Sequence, residues 1–280
     1  MKVCFIYDPW PNHKTLDIYR KMTPNCSGVW KDLVAVEDQN EADWCVVVDD
    51  TQRCMNPDRT LYVSAHPYIA GYEGYRDLSR HKHKLDLKHT FGFGEWWLRY
   101  DWDYLNQLEP PTKDKNCCFI VSNSVGGFGR ERRKQLAKEL NGLVDIYGRI
   151  SGVGAGTLGS PNNDGGDHQW GKEDVLRRYR YSVEVDVGPT RNYFSERVFD
   201  SLLMWCMPLI WGSTNVEDYL PKESFRYIDI YGSGKDILEI CKTDVRERNL
   251  DAIKTARNLL LNKYHIFARA YDYISNCSLR

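Results

Sequence analysis

The sequence lacks an excess of charge, a long apolar run and any metal-binding cysteine pattern, and each absence closes a class of function. Its 38 Lys and Arg are balanced by 39 Asp and Glu in 280 residues, with an isoelectric point near 6.7. No global basic field therefore draws the chain to nucleic acid. The basic clusters at 130–134 and 177–180 read as solvated helix faces. No stretch approaches the ~20 apolar residues of a membrane-spanning helix. The opening "MKVCFIYDPW" reads as a strand rather than a secretion signal, so a soluble, cytoplasmic protein is expected. The nine cysteines form neither a CxxC pair nor a zinc-type cluster, which points to reduced thiols buried as small hydrophobes. There is no internal repeat. No GxGxxG follows the first strand, which counts against a nicotinamide-dependent dehydrogenase.

What is present is an alternation of strands and helices. "KVCFIY" (2–7), "WCVVVD" (44–49) and "TLYVSA" (60–65) are short, apolar and rich in β-branched residues, as buried parallel strands are. A helix is expected around 14–22, and "LEPPTKDKN" (108–116) reads as a linker. Beyond it come a strand at 117–122, a helix at 129–142 and a strand at 143–148. A Gly-rich loop (153–171) lacks the ending of a phosphate-binding P-loop and reads as a lid or surface loop. Then follow a helix at 172–181, a strand at 182–187, a further helix leading into "MPLIWG" (207–212), a strand at 225–230, a short helix and one long helix over 245–275. This pattern predicts an α/β chain of two doubly wound, Rossmann-like domains, 1–115 and 116–261, facing a central cleft. The C-terminal helix, 262–280, can pack back on the first. Ligands in such sheets sit beyond the carboxyl ends of the strands.

One helix concentrates chemistry. In "RNYFSERVFDSLLMWCMPLIWG" (191–212), Val198, Leu202 and Trp205 recur at helical spacing and make a buried face. Ser195 stands at the N-cap position. Glu196 and Asp200, four residues apart, share a face, and Arg197 lies three before Asp200. Free N–H groups and the helix dipole favour an anion at such a start. A diphosphate fits there, neutralised by Arg197, with a carboxylate one turn in to accept ribose hydroxyls. The plainer alternative is an ordinary capped helix with Arg197 paired to Asp200.

The stretch "YFSERVFDSLLMWCMPLIWGSTNVEDYLPKESFRYIDI" (193–230) resembles the donor-binding segment of α1,3-fucosyltransferases. It also resembles exostosin-type glycosyltransferases through Ser195, Arg197, Asp200, Cys206, Pro208 and Ile210. Upstream, "VSNSVGGFGRERRKQLAKELNGLVDIYG" (121–148) is similar to the fucosyltransferases' Ser-Asn, Arg-rich helix and Val-Asp-x-(Phe/Tyr)-Gly. The resemblance implies the GT-B fold, with an amino-terminal acceptor domain and a carboxyl-terminal domain for the nucleotide-sugar donor. It implies Glu196 and Asp200 at the ribose, Arg197 at the diphosphate where the fucosyltransferases have Lys, and Tyr193 as the aromatic that opens the motif. One of Arg130, Arg132 and Arg133 becomes the second phosphate-binding arginine. The Arg at 197 keeps the charge and adds bidentate contact. It leaves the donor open between GDP-fucose and a UDP-sugar such as UDP-xylose.

The expectation is an inverting glycosyltransferase, independent of metal and cofactor, that extends an oligosaccharide or glycan acceptor. A bacterial or large-virus source is expected from the lack of an anchor. Inversion needs one general base and stabilisation of the departing diphosphate. "VSAHPYIAGYEGY" (63–75) begins at a strand's carboxyl end and offers Glu73 and His66 as bases, Glu73 first, with Asp8 and His13 next. "DWD" (101–103) looks like amphipathic structure rather than a metal site. The rival from another class is a catalytically silent sugar-binding protein on the same fold.

Overall fold

The computed structural model describes residues 1–7, 10–49, 56–67, 77–122, 128–148, 150, 153, 171–232 and 234–278. Glu73 and Asp8, and nearly all of the Gly-rich loop, lie outside these residues.

The amino-terminal half contains β1 (Lys2–Tyr7), α1 (Asn12–Arg20), β2 (Val29–Trp30), β3 (Leu33–Val36), β4 (Trp44–Val48), β5 (Thr60–Val63) and β6 (His83–Leu85). These strands form one sheet in the order β2-β3-β1-β4-β5-β6, parallel except for the short β2–β3 hairpin. The helix α2 (Trp102–Gln107) leads through the Pro110–Pro111 linker to the second half. There follow β7 (Lys115–Val121), α3 (Phe128–Glu139), β8 (Asp145–Gly148), α4 (Lys172–Leu176), β9 (Tyr179–Thr190), α5 (Glu196–Leu203), β10 (Met207–Ser213) and β11 (Arg226–Tyr227). Their sheet is wholly parallel, in the order β11-β10-β9-β7-β8. The helices α6 (Lys235–Cys241), α7 (Val245–Arg248), α8 (Leu250–Leu259) and α9 (Ile266–Ser278) complete the chain.

Read in chain order, the second sheet is wound 2-1-3-4-5, so its strand order reverses between β7 and β9. Crevices for ligands open at such reversals, outside the carboxyl ends of the strands. The chain order of the first sheet reverses likewise, between β1 and β4.

The apolar runs become strands because both their faces are covered: Val3, Phe5, Val46 and Val48 join one core that continues into Phe119, Val183 and Leu209. Burial of ~25 cal/mol per Å2 of such surface drives the packing. The strand at 182–187 behaves otherwise than its alternation suggests. In β9, Val183 and Val185 are buried on one face, and Ser182, Glu184 and Asp186 are also buried on the other.

Two expectations fail here. The helix expected over 172–181 stops at Leu176, and β9 begins at Tyr179, because the Tyr and Val side chains are taken by the sheet core. The single helix over 245–275 is instead α7, α8, a π-turn (Leu260–Tyr264) and α9, broken at His265, whose backbone is extended. The break lets the Tyr264 carbonyl accept the Gly94 N–H at 2.7 Å. The His265 ring is wholly buried and meets Trp30 edge-on at 4.3 Å. Burial holds it neutral, its pKa lowered to about 3. From there α9 lies against the amino-terminal half, with Phe267 on Phe5 at 4.6 Å between ring centroids. Arg269 Nε donates to the Gly92 carbonyl at 3.0 Å.

Candidate active site

The entry to α5 is fixed by Asn192, one of the few non-glycine residues with left-handed backbone (φ 56°). Its N–H donates to Asn215 Oδ1 at 2.7 Å, its Nδ2 to the Leu87 carbonyl at 3.0 Å, and its Oδ1 accepts the Tyr219 hydroxyl at 2.6 Å. Tyr193 follows, half-buried. Ser195 is the N-cap by backbone geometry, but its side chain makes no capping bond.

Arg197 turns back toward the sheet, and its Nη1 donates to the Ile120 carbonyl near the end of β7 at 2.9 Å. Arg133, from α3, donates to the Val185 carbonyl of β9, and its buried Nε has no hydrogen-bond partner among the described residues. Two guanidiniums thus anchor on the two strands between which the sheet order reverses. Burial, and then the charge of Arg197, lower the pKa of Arg133 to about 9. Glu196 keeps an exposed edge, its side chain 28% accessible. Burial pushes its carboxyl up, but Lys172, Arg197 and Arg133 outweigh burial and hold it below its ordinary value. The other two arginines of α3 stand differently. Arg132 forks onto Glu139 at 3.1 and 2.9 Å, while Arg130 is half-buried in the first turn.

Asp200 is not paired with Arg197. It is 1% exposed, and Lys172 Nζ donates to its Oδ2 at 2.7 Å while the Trp97 N–H donates to its Oδ1 at 2.9 Å. Burial still raises its pKa against the pull of Lys172. Beneath it, Glu184 Oε1 accepts the hydroxyls of Ser182 (2.5 Å) and Ser201 (2.6 Å). Burial lifts this carboxyl to about 7.

The amino-terminal half reaches the same helix through residues 94–97. Gly94 lies directly on the Phe199 ring, so close that a Cβ there would fall 1.6 Å from it. Glu95 follows, half-buried, and its Oε1 accepts the Trp97 indole N–H at 3.0 Å. Burial raises its pKa to about 7; Trp97 and Lys21 pull it down, while Glu196 and Asp200 push it up. Glu95, Lys21, Trp10 and Trp97 line a cavity of about 70 Å3. Burial, and then Glu95, Tyr7 and Asp49, push the Tyr19 phenol up, which ties Glu95 to the ends of β1 and β4.

Glu95 and Lys172 are absent from the sequence expectation, since neither falls in a motif. His66 lies after β5, and its Nδ1 sits 2.6 Å from Asp49 Oδ2. Asp49 Oδ1 also accepts the Ala65 N–H at 2.9 Å. His13 is exposed on α1. Asp101 caps α2, accepting the Tyr104 N–H at 2.9 Å, and Asp103 accepts the Asn25 N–H at 2.5 Å. Both carboxylates of "DWD" therefore hold backbone N–H groups, Asp101 within its own helix and Asp103 at the distant Asn25. Among the described residues no group of three or more His, Cys, Asp or Glu is placed to hold a metal, and no helix is long and apolar enough to cross a membrane.

Residues 110–248 match the family model for glycosyltransferase family 10 (fucosyltransferase), C-terminal part. A putative fucosyltransferase-like protein of Arabidopsis thaliana is 25% identical over 133 residues, which cover 47% of this chain and 23% of that protein. The chain thus spans about a quarter of the length of this curated relative. An α1,3-fucosyltransferase crystal structure superposes with a TM-score of 0.50 at 12% identity, covering 99% of this chain and 90% of the other. A T4 phage BGT variant in complex with UDP-glucose gives 0.51 at 10% identity, covering 97% and 99%. The exostosin resemblance has no counterpart in these matches. Two Rossmann-like sheets give the chain the GT-B fold, and its second half is related to the C-terminal part of the family 10 fucosyltransferases.

Proposed function

We propose that the chain is an inverting glycosyltransferase that moves a sugar from a nucleotide diphosphate to a hydroxyl of a glycan acceptor. The observation that carries this reading is the Arg133–Arg197 pair. Two guanidiniums repel each other at the reversal point of a parallel sheet, beside the start of α5, each hydrogen-bonded to a strand carbonyl. A diphosphate relieves that repulsion and meets the positive end of the helix dipole. Glu196, with its exposed edge, is the carboxylate for the ribose. Asp200, with both oxygens engaged, docks the two halves. The family match favours GDP-fucose over UDP-xylose as donor.

Glu95 is the general base in this reading. It takes the proton of the acceptor hydroxyl as the oxygen attacks the anomeric carbon, and the bond to the diphosphate breaks on the opposite face. Its pKa of about 7 suits a base near neutrality. Because a base works in its ionised form, kcat/KM should rise with pH through about 7 and then level. The His66–Asp49 pair is the second choice, and Glu73 stays a third.

Arg197→Ala should weaken GDP binding in calorimetry by the ~1.5–3 kcal/mol of a charge-assisted hydrogen bond. Unchanged affinity sinks the donor assignment. Glu95→Gln should lower turnover roughly 10²–10⁴-fold at unchanged donor affinity; if His66→Gln does so instead, the base is His66. Turnover should persist in excess EDTA. A chain that binds donor yet neither transfers nor hydrolyses it is the silent sugar-binding protein.

A further inference from the structure

Three aromatic rings meet on the surface beside the arginine pair. Phe128 opens α3, Trp211 lies in β10, and Tyr231 stands before α6. Their centroids are 6.0 Å (Phe128–Trp211), 5.9 Å (Phe128–Tyr231) and 6.3 Å (Trp211–Tyr231) apart. Phe128 is 55% and Tyr231 64% exposed. Exposed rings scattered singly are ordinary, whereas large side chains gathered in contact and left open to water mark a binding surface.

Two glycines bring the rings to the donor site. A Cβ on Gly129 would fall 2.0 Å from the Asp186 carbonyl oxygen, and one on Gly212 would fall 2.8 Å from Asp186 Cβ. Phe128 and Trp211, the residues just before these glycines, are therefore held at the same strand end as Asp186, whose carboxyl feels Arg133 and Arg197. Tyr231 is fixed by its N–H, which donates to Asp229 Oδ1 at 2.9 Å. A platform of π-faces one step beyond a diphosphate and ribose site fits the third part of a nucleotide, its planar base. Stacking on aromatic rings is how proteins hold bases without reading their edges.

We infer that Phe128, Trp211 and Tyr231 form the stacking platform for the nucleobase of the donor. This rests on the nucleotide-sugar reading of the Arg133–Arg197 site. The exposed pair, Phe128 and Tyr231, can be removed together without opening the core. The Phe128→Ala/Tyr231→Ala variant should bind GDP roughly ten- to a hundredfold more weakly than the parent chain, the range that corresponds to loss of base stacking. Inorganic pyrophosphate, which has no base, should bind both chains alike. GDP should also quench the part of the tryptophan emission that Trp211→Phe removes, and a parallel titration with UDP ranks the two bases. GDP affinity unchanged in a double variant of parental melting temperature overturns the platform while leaving the donor site standing. A raised KM for the glycan acceptor at unchanged GDP affinity overturns it too and assigns the rings to the acceptor. A parent chain that binds neither nucleotide nor pyrophosphate overturns the platform together with the reading beneath it.

Discussion

Glu184 sits in the middle of a parallel strand with two serine hydroxyls on one oxygen, and its protonation couples stability to pH. Its pKa lies near 7 in the fold against an ordinary 4.5, so between these values the folded chain holds a proton that the unfolded chain releases. The stabilisation is complete below about 4.5 and is lost as pH rises through about 7. A shift of this size corresponds to on the order of 3 kcal/mol. The melting temperature should therefore fall from pH 5 to pH 8, and Glu184→Gln should flatten that decline. Since Glu95 is shifted in the same direction, the difference between parent and variant, rather than the slope alone, is the measurement. At this scale the sequence was informative only where chemistry is local. The position of Ser195, Glu196 and Arg197 at the start of α5 was legible because the first turn of a helix follows from adjacent residues. Lys172 and Glu95 were not, because one arrives from the edge of a Gly-rich loop and the other from the opposite half of the chain.

Among the elements, the 94–97 segment is the one on which the site depends, because it delivers Glu95 to α5. Its seat has no room for a side chain at residue 94. Gly94→Ala would drive a methyl group into the Phe199 ring and push the segment off the helix, breaking the bond from the Trp97 N–H to Asp200. Overpacking of this kind costs about 1–3 kcal/mol. Turnover should fall further than stability does, and paired melting and kinetic measurements on the variant would check this. Strands such as β1, β4 and β7 were readable from their apolar runs. The two-residue β2 and the three-residue β6 are too short to show a period and exist because neighbours supply their hydrogen bonds. The break at His265 was invisible for a related reason. The apolar period continues through it, and only the docking of the Tyr264 carbonyl on Gly94 and of the ring on Trp30 selects an extended residue there.

Over the whole molecule, one core cluster runs through both halves; Phe91 on Phe194 bridges them, and α9 closes the amino-terminal side. Phe267→Ala would remove a wholly buried ring packed on Phe5. It should lower unfolding free energy by about 3–5 kcal/mol, read from the midpoint of a urea titration. The loss should appear first in the amino-terminal half, far along the chain from residue 267.

The path of α9 also bears on what can be exchanged between related chains. The amino-terminal half is completed by a helix encoded at the other end, with Phe267 on Phe5, Arg269 on the Gly92 carbonyl and His265 against Trp30. A chimera spliced once, in the Pro110–Pro111 linker, would pair one protein's first sheet with another's covering helix and so mismatch that interface. The exchangeable unit is discontinuous: residues before the linker have to travel with 265–278.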